Sequence, residues 1–273
     1  MKKLVRMILG FTRQMSRANV NAYASSAAFF IFLSMIPIII LICSVLPFTP
    51  LQKSDLLTVV QLMPAPMVPL MIALIDSLYN STVGIISVAA VVTVWSAGKG
   101  MLALVRGLNA MNGVMEDRNY FVQRLMASFY TIVMLILLIV SLVLMVFGDT
   151  LVRVISGHFP LVQQLMSLLM YFKPLFSWGI LTVAFMMIYA FVPNVKLQVK
   201  DQWPGAVFTA VSWNLFSQGF SIYIENFNGL SIYGSLSAIV VIMLWLYFCM
   251  YLLLIGAHIN RFFIPFRREV MKK

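Results

Sequence analysis

Acidic side chains are scarce in this chain. Eight Asp and Glu stand against nineteen Lys and Arg among 273 residues, with only two histidines and two cysteines. Hydrolytic nucleases rely on clustered carboxylates that hold metal, or on a His-based acid–base pair. Here the acids are Asp55, Asp76, Glu116, Asp117, Asp149, Asp201, Glu225 and Glu269, and only Glu116 and Asp117 are neighbours. His158 and His258 fall on opposite sides of the membrane in the topology derived below. No HxH, CxxC, phosphate-cradling glycine loop or Walker A pattern occurs. The expectation is therefore a protein that is not an enzyme, with no cofactor and no metal. Cys43 and Cys249 both lie in apolar runs and read as small buried hydrophobes rather than as a disulfide or metal ligands.

Charge of either sign is also rare. Charged residues make up 10% of the chain and hydrophobic ones 62%, with a mean hydropathy of +0.98; soluble domains are nearer a quarter charged and half apolar. Transmembrane barrels alternate apolar and polar residues, whereas this chain has long continuous apolar runs. The fold class expected is all-α, a polytopic bundle. A hydrocarbon core needs about 20 apolar residues of helix. Six runs qualify, roughly 25–47, 83–105, 125–147, 175–192, 205–224 and 236–262, within a single membrane domain over 1–273. The first is too long for a signal-peptide core, so a retained span is expected there.

The net charge of +11 reads as a topology signal once the cations are placed. Lys2, Lys3, Arg6, Arg13 and Arg17 precede the first span. Lys99, Arg106, Arg118 and Arg124 flank the second connection, Lys196 and Lys200 the fourth, and Arg261, Arg267, Arg268, Lys272 and Lys273 follow the last span. Only Lys53, Arg153 and Lys173 fall on the other side. The positive-inside rule then puts both termini in the cytoplasm, and nucleic acid is discounted as a partner. Within 1–22, Leu4, Ile8, Phe11 and Met15 form one helical stripe and Lys2, Arg6, Arg13 and Arg17 the opposite one. That pattern suits an interfacial helix, or a cytoplasmic helix packed on the bundle. In 48–82, Pro64, Pro66 and Pro69 split an apolar loop into two short helical pieces. The loop over 149–174 has similar character, and the two together could cap the outer side.

Two cations inside the second span stand out. A cation in hydrocarbon costs roughly 2.5 to 3.5 kcal/mol on insertion scales, yet "VWSAGKGMLALVRGLN" carries Lys99 and Arg106. Seven residues turn a helix by about 700° and raise it by about 10 Å, so the two share a face. Trp95 and Asn109 lie one turn to either side. Gly98 and Gly100 flank Lys99 and permit close approach by a helix or a ligand. Snorkelling of long stems to the headgroups is one account of both cations. The other is a site for an anionic group such as a lipid phosphate, which arginine holds through paired N–H donors and lysine as a point charge. Arg118 and Arg124 could extend it.

Further polar and aromatic residues inside spans are candidates for lining a cavity: Ser34, Ser96, Asn214 and Gln218, with Pro37 bending the first span, and Trp213 and Trp245 near mid-span. Helix–helix packing is the competing account of each. No carboxylate lies deep in a span, which weighs against a conventional cation-coupled antiporter.

Four stretches taken in order carry a resemblance. They are "AYASSAAFFIFLSMIPIIIL", "VWSAGKGMLALVRGLNAMNGVMEDRNYF", "YAFVPNVKLQVKDQWPGAVFTAVSWNLFSQGFSIYIENF" and "IYGSLSAIVVIMLWLYFCMYLLLIGAHINR". Together the chain resembles the YihY/BrkB family of bacterial inner-membrane proteins, once labelled ribonuclease BN-like. The resemblance implies a six-span bundle in the inner membrane and points toward lipid or amphiphile transport. One departure is visible: where the family ends its last span with Gly-Ala-Glu, this chain reads Gly256-Ala257-His258. The function expected is a transporter of a lipid or other anionic amphiphile, with a flippase in view, membrane lipids being the partners. An exporter of small organic anions and a non-catalytic scaffold for an envelope machine are the alternatives. Whether the chain forms a homo-oligomer is left open.

Overall fold

The structure, a computed structural model, describes residues 2–45, 53–61, 68–78, 84–137, 173–226 and 235–270. Helices account for every regular element among them: α1 Lys2–Arg17, α2 Val20–Val45, α3 Lys53–Val60, α4 Val68–Leu78, α5 Gly84–Asn112, α6 Tyr120–Leu137, α7 Lys173–Phe191, α8 Trp203–Asn226 and α9 Ser235–Val270. A single 3-10 turn, Val199–Asp201, precedes α8. The loop expected to form two short helical pieces holds α3 and α4, which Lys53 and Asp76 tie together at 2.8 Å; Pro64 and Pro66 lie outside the described residues and Pro69 falls in the first turn of α4. The second outer loop lies outside the described residues over 149–172.

The described parts of the six expected spans are helical, on α2, α5, α6, α7, α8 and α9, while residues 46–47, 83 and 138–147 of those spans lie outside the described residues. Among the described residues, Tyr120–Leu137 and Ile239–Phe262 are long and apolar enough to cross a membrane. Helix α5, where the second span is expected, runs further than its hydropathy suggests, to Asn112. It stops there because Gly113 takes a φ of +63°, closing a Schellman cap: the Gly113 N–H donates to the Ala110 carbonyl and the Val114 N–H to that of Asn109. Arg261 of α9 donates to the Met111 carbonyl at 3.1 Å, satisfying another orphan acceptor of the same helix end. The expected 1–22 helix is broken at Asn19, whose φ of 52° is one that asparagine tolerates. There α1 ends and α2 begins.

Small residues set the packing. Ala24, Ala27 and Ala28 of α2 are buried. A Cβ on Gly100 would lie 3.1 Å from the Ile31 backbone nitrogen, and one on Gly107 would lie 3.0 Å from the Tyr23 Cβ. Rising numbers on α5 meet falling numbers on α2, so the two run antiparallel, and theirs is the most extensive helix pair described. Other contacts continue the alternation. Tyr130 of α6 donates to the Phe191 carbonyl at the end of α7 at 3.0 Å. Gly205 of α8 donates to Asn260 Oδ1 of α9 at 2.6 Å. The buried Tyr189 hydroxyl of α7 donates to the Leu253 carbonyl at 2.8 Å and hydrogen-bonds Thr209 Oγ1 at 2.7 Å.

The start of α2, the end of α5, the start of α6, the end of α7, the start of α8 and the end of α9 are thereby gathered at one end of the bundle. This is the end that carries Lys99, Arg106, Arg118, Arg124 and Arg261. α1 rests against it: the Phe11 ring packs tilted against His258 with ring centroids 4.6 Å apart and meets Phe262 edge-on at 5.6 Å. The histidine that replaces the expected glutamate is thus buried among aromatic rings.

Candidate anion-binding site

The glycines beside Lys99 serve two different neighbours. Gly98 faces α6, with its Cβ position 3.5 Å from Arg124 Nη1 and from Ser128 Oγ; Gly100 faces α2. Helices therefore close in on both sides of α5, and the stripe between them forms the floor of a pocket of about 250 Å³. α5 supplies Lys99, Arg106, Leu102 and Ala103. α2 supplies one wall with Ala22, Tyr23, Ser26 and Phe30, and α6 the other with Tyr120 and Arg124.

Three cations line this pocket and no carboxylate does. Lys99 is exposed, its ammonium 5.4 Å from the centroid of the Phe30 ring, a favourable cation–π position. Arg106 is exposed and oriented by Gln123, whose Oε1 accepts from its Nε at 3.1 Å and its Nη2 at 2.9 Å. Arg124 is 8% exposed. Its guanidinium lies 4.5 Å from the Trp95 ring and donates through Nη2 to the Trp95 carbonyl. Its Nε and Nη1 are buried without an acceptor. Taking a charge out of water without a counter-ion costs several kcal/mol. An anion in the pocket would offset that cost.

Beside the pocket lies a second polar cluster, and it takes two residues that the sequence assigned to the first. Asn109 is buried and donates to Glu116 Oε2 at 2.6 Å, while its Oδ1 accepts the Asn194 N–H at 2.7 Å. Arg118 grips the same carboxylate, through Nε to Oε1 at 2.6 Å and Nη2 to Oε2 at 2.8 Å. Neither Asn109 nor Arg118 lines the pocket. Three residues beyond Arg106 is about 300° of turn, which rotates Asn109 off the stripe toward Asn194, and Arg118 is spent on Glu116. Gln123 joins the two clusters, since its Nε2 donates to the Arg118 carbonyl at 2.7 Å while its oxygen holds Arg106.

The hydrogen bonds from Arg118 hold the Glu116 carboxyl below its ordinary 4.5 against the opposing effect of burial, aided by the charges of Arg118 and Arg106. The Arg118 guanidinium is raised in turn, chiefly by its hydrogen bond to Glu116. Because the folded carboxyl ionises below its unfolded counterpart, the cluster stabilises the fold above about pH 4.5 and loses that contribution as pH falls through the lowered value. Amide exchange across 114–119, corrected for intrinsic rate, is expected to rise on acidification to about pH 3. In Glu116→Gln the same rise is expected already at neutral pH. Unchanged exchange in both would show that the cluster does not hold this loop.

The remaining candidates have other places. Trp95 supports Arg124 from beneath and does not line the pocket. None of Ser34, Pro37, Ser96, Trp213, Asn214, Gln218 and Trp245 lines it either. Ser34, Ser96 and Asn214 bond to carbonyls one turn back in their own helices, and Pro37 sits partly buried within α2. Trp213 and Trp245 meet edge-on at 6.1 Å, with Phe185 against Trp213, so they pack helices together. Gln218 faces outward. The sequence singled out neither Tyr23, Ser26 and Phe30 nor Tyr120 and Gln123; the small-residue face of α2 opposite Gly100 was the signal for the first three.

Comparison with known proteins follows from this geometry. The family model described as virulence factor BrkB matches residues 11–270. A ribonuclease-like protein of Bacillus subtilis (strain 168), YfkH, is 33% identical over 244 residues, 87% of each chain. A UPF0761 membrane protein of Pseudoalteromonas translucida (strain TAC 125) is 35% identical over 92 residues, 33% of this chain and 31% of its own. Another, from Vibrio vulnificus (strain YJ016), is 40% identical over 78 residues, 28% of this chain and 25% of its own. No solved structure matches.

Proposed function

The chain belongs to the BrkB family of membrane proteins, and on that premise we propose that it is a non-enzymatic transporter of an anionic amphiphile, binding the headgroup in the Lys99–Arg106–Arg124 pocket. In this account α2, α5, α6, α7, α8 and α9 all cross the bacterial inner membrane, and both termini are cytoplasmic, which puts the pocket at the inner face. The observation that carries the proposal is three cations around one pocket without a carboxylate, one of them nine-tenths buried with two unmet donors.

Size and surroundings favour an amphiphile over a free solute. Pockets that enclose a whole drug-sized molecule run from about 300 Å³ upward, so about 250 Å³ suits a headgroup. The stripes that line the pocket continue along both helices as exposed apolar residues, Phe29 and Leu33 on α2 and Val92 and Trp95 on α5. Acyl chains would follow that surface while only the phosphate enters the polar site, so the headgroup alone needs a path through the bundle.

Reconstitution in vesicles tests the proposal. With a fluorescent anionic phospholipid in both leaflets, a membrane-impermeant quencher reads movement between them. Wild-type protein is expected to bring the inner-leaflet probe outward faster than protein-free vesicles, and Lys99→Ala/Arg106→Ala to fall back to the protein-free rate. A wild-type rate equal to that of empty vesicles would remove the transport reading.

A further inference from the structure

We infer that the pocket selects a phosphomonoester, a headgroup ending in a terminal dianionic phosphate, over phosphodiester and zwitterionic headgroups; this rests on the headgroup reading above and names its substrate class. Charge is the first argument. Lys99, Arg106 and Arg124 present three positive charges, and Glu116, near enough to influence Arg106, is already held by Arg118 at two oxygens. A diester brings one negative charge to this site. A monoester brings about 1.5 to 2 at neutral pH, its second proton leaving near pH 6, and neighbouring cations push that ionisation further down.

Donor count is the second. A terminal phosphate offers three unesterified oxygens and a diester two. Three cationic side chains from two helices surround the pocket, enough to give each of three oxygens a positive partner. The third argument excludes the zwitterion. Its ammonium would enter beside three cations with no lining carboxylate to receive it, and the Phe30 face already holds Lys99.

The test uses the full-length protein in non-ionic detergent, titrated separately with dioleoyl phosphatidic acid, dioleoyl phosphatidylglycerol, dioleoyl phosphatidylethanolamine and the soluble glycerol 3-phosphate, with occupancy read by native mass spectrometry. At about pH 7.5 phosphatidic acid is expected to bind about tenfold or more tighter than phosphatidylglycerol, phosphatidylethanolamine not measurably, and glycerol 3-phosphate far more weakly than the lipid. The preference is expected to shrink at about pH 5, where the second proton returns. Arg124→Gln is expected to erase it, and Arg106→Gln, at an exposed position, to reduce it. Equal binding of phosphatidic acid and phosphatidylglycerol, both lost in Lys99→Ala/Arg106→Ala, would overturn the monoester class and leave the anionic-headgroup reading standing. Binding of neither would overturn both. Glycerol 3-phosphate binding as tightly as phosphatidic acid would overturn a lipid source for the phosphate.

Discussion

Lys99→Ala/Arg106→Ala protein is expected to bind anionic phospholipid about a hundredfold or more weakly than wild type, with its fold intact. A hydrogen bond to a charged group contributes about 1.5 to 3 kcal/mol, so two such contacts are worth at least two powers of ten. Stability should move little, because both side chains are exposed. Lys99 gives up a cation–π contact worth about 0.5 to 1 kcal/mol, and Arg106 its bonds to Gln123. Against this, each substitution removes a positive charge from the surroundings of buried Arg124, which relieves repulsion. A lipid titration beside a thermal unfolding curve separates these effects: weak binding with a near-native midpoint is the expected pair. Native-like binding by the variant would make snorkelling the better account of both cations.

Gly256→Ala is expected to cost more than 3 kcal/mol and to leave little monodisperse protein after detergent extraction. Overpacking a core by a methyl group costs about 1 to 3 kcal/mol when side chains can shift. Here the new Cβ would meet Thr209 Oγ1, the Tyr189 hydroxyl and the Gly205 carbonyl. The first two are committed to each other and to the Leu253 carbonyl, and the third is backbone. Relief would have to come from moving α8 away from α9, with loss of the Gly205–Asn260 bond. Gly219→Ala, on the partner helix α8, is the control. Nothing lies within 4 Å of its Cβ position, so it is expected to be neutral or to stabilise by up to about 1 kcal/mol through helix propensity. Thermal stability followed by size-exclusion chromatography reads both. Equal midpoints for the two variants would contradict the close α8–α9 crossing.

Hydropathy made the helices legible because an apolar run of span length has few other uses. The ends were less legible: α5 runs seven residues beyond its expected limit, since Gly113 and Arg261, not hydropathy, decide where it stops. Lys99 and Arg106 could be paired from spacing alone, as both sit on one rigid helix. Asn109 could not be assigned that way, because 60° of rotation is enough to hand it to a different neighbour. Arg118 lies away from the pocket for another reason: a loop cation is claimed first by the nearest carboxylate, and Glu116, two residues away, offers it a bidentate hold. Tyr23, Ser26 and Phe30 come from a helix more than sixty residues earlier in the chain, and spacing within one segment does not reveal which distant helix will lie beside it. Mid-span tryptophans pointed to a cavity because interfacial belts are their usual place. Trp213 and Trp245 show the other use of a large ring, filling space between helices.

Site-specific photo-cross-linking in native membranes tests the central claim most directly. A photoreactive amino acid at Ser26, on the pocket wall, is compared with one at Phe129 on the outward face of α6, and adducts are identified by mass spectrometry. The expected result is an adduct dominated by anionic phospholipid at Ser26 that disappears in Lys99→Ala/Arg106→Ala, while Phe129 captures lipids in proportion to the bulk membrane in both backgrounds. Bulk lipid proportions at Ser26, or an anionic adduct that survives loss of the two cations, would contradict a headgroup site.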